Sequence, residues 1–73
     1  MSSIFNVSTG TFPDGRAWRI QKVNGLYYLD IMQHDEYGHE YHMNVVRNID
    51  LAPVLEARNS THEAIERRMH ING

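Results

Sequence analysis

Asn24-Gly25 lies between WRIQKV and LYYLDIM, two runs in which apolar and polar residues alternate. A two-residue type I′ turn needs positive φ at both central positions, and asparagine followed by glycine is the preferred pair for it. The dipeptide therefore predicts a β-hairpin of defined register. Counting outward pairs Val23 with Leu26, Ile20 with Leu29 and Trp18 with Ile31, and puts Arg19 opposite Asp30 on the other face. A second turn signal follows at Glu36-Tyr37-Gly38, which fits a three-residue loop with glycine in the left-handed position. That loop pairs Asp35 with His39 and His34 with Glu40. Extending the ladder sets Ile31 opposite Met43 and Leu29 opposite Val45, so both turns select one apolar surface.

The strand before Trp18 is less constrained. Pro13-Asp14-Gly15 is a turn, since proline pre-sets φ, aspartate bonds the backbone ahead and glycine supplies positive φ. Two phases remain open: Phe5 and Val7 join the face of Trp18 and Ile20, or a three-residue loop puts Ile4 and Phe12 there, with Gly10 as a bulge that repairs the mismatch. After Arg47 the period becomes helical. Asp50 takes the N-cap, Pro53 is tolerated in the first turn, and Leu51, Val54 and Leu55 make an apolar stripe. Asn59-Ser60-Thr61 interrupts it, and Ser60 with Glu63 forms a capping box opening a second helix whose stripe, Ile65, Met69 and Ile71, is thin enough to fray or to be ordered by a partner. The expected architecture is α+β: a four-stranded antiparallel β-meander with one or two short C-terminal helices on one face. It forms a single domain over 1–73, with the sheet at about 3–47 and the helical segment at about 51–71.

Seventy-three residues, 41% hydrophobic and 22% charged, suit one soluble globular core. A core of that size supplies only about 3–5 kcal/mol, which makes oligomerisation or a partner a natural reinforcement. The chain has no cysteine, which rules out disulfides and thiolate metal sites and is compatible with a reducing cytoplasm. No apolar run reaches membrane-spanning length and MSSIFNVSTG lacks a signal-peptide pattern, so a soluble protein with no membrane partner is expected. The net charge of −2 is uneven: residues 1–29 carry Arg16, Arg19 and Lys22 against Asp14, whereas residues 30–73 carry four arginines against eight acids. Such a dipole suits a protein partner better than DNA.

HDEYGHEYH, residues 34–42, is the richest set of metal-ligand types in the chain. Strand geometry lets His34, Glu40 and His42 share a face, but the cluster falls at an exposed hairpin tip without a buried surround, so the reading is a solvated turn, with no metal and no cofactor. The imidazole–carboxylate neighbours there could serve as a local pH-sensitive contact. Catalysis has no support: the serines and threonines lie in edge, terminal or capping contexts, and a thin sheet with one helical layer offers little concavity. Arg16, Arg19 and Lys22 interleaved with Trp18, beside Tyr28, make a small nucleic-acid-binding face the alternative. Protein recognition fits better. The face opposite the core carries Val23, Leu26, Tyr28, Met32 and Val46 among Arg19, Asp30, His42 and Asn44, more apolar than a solvent face needs. Arg19, Tyr28, Met32, His42 and Val46 are the candidate binding residues, the competing outcomes being a second helix over this face or edge-strand homodimerisation.

In length and character, with the compact segment GTFPDGRAWRIQKVNGLYYLDI followed by a charged helical tail, the chain resembles small bacteriophage-encoded transcription regulators that bind host RNA polymerase, of the Xanthomonas phage type. The resemblance implies a non-enzymatic protein that docks on polymerase in the host cytoplasm, inhibits initiation and modulates termination, touching nucleic acid only indirectly. It assigns no role to any individual residue.

Overall fold

The computed structural model describes residues 3–72, with side chains to residue 70. Four strands, β1 (Ile4–Thr11), β2 (Ala17–Val23), β3 (Leu26–His34) and β4 (Glu40–Asn48), form an antiparallel meander in chain order, and one helix, α1 (Leu51–Asn72), follows. The fold is α+β. Asn24 and Gly25 adopt φ of 50° and 85°, and the β2–β3 register is the expected one, from Val23↔Leu26 to Trp18↔Ile31. The three-residue loop at 36–38 also forms, with Gly38 at φ 85° and the N–H of Asp35 bonded to the carbonyl of His39 at 3.0 Å. Pro13-Asp14-Gly15 repeats it: Gly15 sits at φ 94° and the Phe12 N–H bonds the Arg16 carbonyl at 2.8 Å.

Each edge strand carries one extra residue. In β1 the register slips at Val7, between Asn6 and Ser8, not at Gly10. The three-residue loop puts Phe12 on the side of Trp18 and Ile20, and the Val7 bulge then moves Ile4 to the opposite face, beside Val23, while Phe5 pairs with Lys22. In β4 the slip falls at Val45, so Leu29 pairs with Val46 and not with the expected Val45. Asn44 closes that break, its Nδ2 donating to the carbonyls of Val46 at 3.1 Å and Leu29 at 3.3 Å. Because one extra residue inverts every side chain beyond it, Val46 leaves the open face. It is half-buried against the helix instead.

The core is small. Ile20, Leu29 and Val54 form one buried cluster, Phe12, Ile31 and Ile65 another, and Trp18 packs against both. α1 supplies Val54 to the first and Ile65 to the second, three turns apart on one stripe. The helix runs through Asn59-Ser60-Thr61 without the expected break. Thr61 Oγ1 donates to the Ala57 carbonyl at 2.8 Å, a helical i−4 contact, so the hydroxyl finds its acceptor inside the helix and no second cap forms. At the helix start the Asp50 N–H is received by Asn48 Oδ1 at 2.9 Å. Among the described residues no helix is long and apolar enough to cross a membrane.

Candidate functional site

The Cα envelope is only 15 Å across its shortest axis, room for one sheet and one helix. No described element therefore covers the sheet face away from α1. Strand alternation puts Arg19, Gln21 and Val23 of β2, Leu26, Tyr28, Asp30 and Met32 of β3, and His42, Asn44 and Arg47 of β4 on that face. Four of the five candidate residues, Arg19, Tyr28, Met32 and His42, thus share a surface. Val46 does not, for the reason the Val45 bulge supplies.

Two polar rows cross this face. In one, Arg19 Nε donates to Asp30 Oδ2 at 3.2 Å and Asn44 Nδ2 donates to Asp30 Oδ1 at 3.2 Å. Asp30 is only 9% exposed, so its carboxylate is held by a guanidinium and an amide in place of water. In the other, Gln21 Nε2 donates to Asn6 Oδ1 at 2.9 Å, and Gln21 lies opposite Tyr28, which lies opposite Arg47. Ile4, Val23 and Leu26 make an apolar margin at one end. Met32, opposite His42, lies toward the other. Tyr28, Met32, Val23 and Leu26 are each half-buried by their neighbours, so the face is a flat, pre-packed surface and not a set of loose apolar chains. Such a surface can bind a complementary one with little side-chain ordering.

The basic residues do not converge. Arg16 is bonded to Asp14 at 2.8 Å in the β1–β2 loop, Arg19 to Asp30 on the open face, and Lys22 lies on the helix side, 5.3 Å from the ring centroid of Tyr27. At the β3–β4 tip His34 Nε2 stands 3.3 Å from Glu40 Oε1 and His39 Nδ1 3.2 Å from Asp35 Oδ2. Among the described residues no group of three histidine or carboxylate side chains is placed to hold a metal ion. Asp35 works as a loop anchor. Hydrogen bonds from the N–H groups of His39 and Tyr37, both 2.9 Å, hold its carboxyl below the usual carboxylate range.

Asn6, Gln21 and Arg47 belong to the face but were not among the residues singled out from sequence. The Asn24-Gly25 register was enough to put Gln21 opposite Tyr28. Asn6 and Arg47 lie beyond the two bulges, and neither bulge carries a glycine or any other local mark. Comparison with protein-family models, curated proteins and solved structures gives no match for this chain.

Proposed function

We propose that the protein is a non-catalytic interaction module that binds a protein partner through the open sheet face, and that it acts as a small phage-type transcription regulator on bacterial RNA polymerase, inhibiting initiation and modulating termination. The observation that supports partner binding is the pairing of a half-buried apolar set, Val23, Leu26, Tyr28 and Met32, with a satisfied polar network around Asp30 on a face that α1 leaves bare. Tyrosine, methionine and arginine are the residue types that interface centres favour. Polymerase as the partner rests on the resemblance of the whole chain to those regulators.

The test is binding of the intact protein to purified bacterial RNA polymerase, followed by promoter-dependent transcription with and without it. Tyr28→Ala and Met32→Glu should each weaken binding by about tenfold or more, as loss of a central interface side chain does. Wild-type protein that neither binds polymerase nor alters transcription would remove the polymerase reading. Binding that survives both substitutions would remove the open face. Affinity for free DNA or RNA that falls steeply with salt would favour nucleic-acid recognition instead.

A further inference from the structure

The two free edges of the sheet differ in how they discourage a further strand. An edge strand presents unpaired N–H and C=O groups, and proteins blunt that template with charges, prolines or bulges. β4 has Glu40, His42 and Arg47 in addition to its bulge at Val45. β1, IFNVSTGT, has no charged residue and no proline. After its slip at Val7, residues 8–11 run in regular register with β2 and offer small, uncharged side chains to any added strand.

Beside that stretch, between β1 and α1, lies a groove lined by Gly10, Thr11, Trp18, Arg58, Asn59 and His62. Its floor is the Trp18 indole, which leans so closely across Gly10 that a Cβ there would stand 2.6 Å from Trp18 Cζ2. Arg58 lies over the same indole, its guanidinium carbon 5.0 Å from the ring centroid. Asn59 Oδ1 accepts from Arg58 Nε at 3.3 Å and Nη2 at 3.0 Å, which fixes the guanidinium plane along one edge. His62, one turn on, is matched with Glu66, whereas Arg58 has no carboxylate partner among the described residues. A cation stacked on an aromatic ring and pinned by an amide has already lost much of its rotamer freedom, so an incoming carboxylate gains a charge-assisted bond at reduced entropic cost.

We infer that residues 8–11 of β1 accept an extended peptide strand from a partner protein, and that Arg58 receives an aspartate or glutamate side chain of that strand. Arg58 lines the same groove as Gly10 and Thr11 of this edge, and an added strand would lie about 4.8 Å beyond β1, which puts its acidic side chain on the side of that groove. A second copy of the chain matches less well, because β1 brings no carboxylate to Arg58 and each molecule carries a net charge of −2. This edge is separate from the open face and does not depend on it.

Trp18, the only tryptophan, is a built-in reporter of the groove. The probes are capped six-residue threonine/valine peptides carrying a single aspartate at each position in turn, with asparagine counterparts, titrated into the intact protein while Trp18 emission and backbone amide resonances are followed. At the matching position the aspartyl peptide shifts the amides of residues 8–11, the asparaginyl peptide binds roughly tenfold more weakly, and Arg58→Gln abolishes the difference. Arg58→Lys keeps the charge without the planar stack and should retain part of the preference, separating loss of charge from an uncovered Trp18. Equal affinity for both peptide sets, amide shifts confined to β4, no binding, or a concentration-dependent dimer with β1 against β1 would each overturn the inference. Tyr28→Ala should leave peptide binding unchanged, so failure here is read independently of failure on the open face.

Discussion

The two faces of this sheet use the same strands and opposite strategies. On the helix side, β2 and β3 alternate Ile20, Leu29 and Ile31 inward to meet Val54 and Ile65, so that two apolar clusters join the layers, with Arg58 stacked on Trp18 beside them. On the open side the same strands present Arg19 and Asp30 as a bonded pair among half-buried Tyr28 and Met32. The first face spends its apolar surface within the molecule, and the second keeps it packed yet available. If the open face binds a partner as proposed, stability and recognition fall to different side chains of neighbouring positions, so that single substitutions should separate them.

The largest expected effect comes from the side chain that joins the two buried clusters. Trp18→Ala should cost about 3–5 kcal/mol, as large aromatic truncations in cores do. A domain of this size has about that much stability in total, so the variant should be largely unfolded by circular dichroism at room temperature. Tyr28→Ala on the other face should remain folded under the same conditions. If both variants unfold alike, the division between the faces is wrong. Gly10→Ala is the next in size: the added methyl meets Trp18 inside normal contact distance, and overpacking of that kind costs about 1–3 kcal/mol. Urea midpoints would read it, and a Trp18→Leu background should relieve most of the penalty because the clash is with the indole.

Much of the central sheet was legible because it rests on local turn chemistry. Asn24-Gly25 and the glycines at 15 and 38 adopt positive φ where their residue types demanded it, and the β2–β3 register follows from the first of these alone. The bulges at Val7 and Val45 were not legible, since each is an ordinary β-branched residue whose displacement is decided by what lies across the sheet. Val46 was misplaced for that reason. Asn44 shows how the error arises: its amide closes the β4 break and also reaches Asp30, a role visible only once three strands are assembled. The helix was misread for the opposite reason. Ser60 and Glu63 have the local signature of a cap, but Val54 and Ile65 hold one stripe against two clusters, and packing overrode the signal. Arg19, Tyr28, Met32 and His42 lie on the face expected of them because that placement follows from turn register and strand alternation, with no bulge between them and the turn that sets their phase.

The smallest expected effect tests the end of the sheet that both faces share. Asp14 and Asp35 anchor the two three-residue loops. Slight burial acts to raise the Asp14 pKa, but hydrogen bonds from the Arg16 N–H and guanidinium outweigh it and leave it lowered. The Asp35 carboxyl is lowered chiefly by the His39 N–H, then by Tyr37. A carboxyl whose folded pKa lies below its unfolded value of about 3.9 favours the native state when ionised. Its contribution is fully present above that value and is lost as pH falls through the lower folded pKa. The urea midpoint should therefore decline modestly as the pH drops below about 4, beyond any change seen between pH 5 and 7. Asp35→Asn should flatten part of that decline, because an amide oxygen still accepts the two N–H bonds but no longer titrates. A decline of unchanged steepness in the Asp14→Asn, Asp35→Asn double variant would show that acid acts elsewhere than on the two loop anchors.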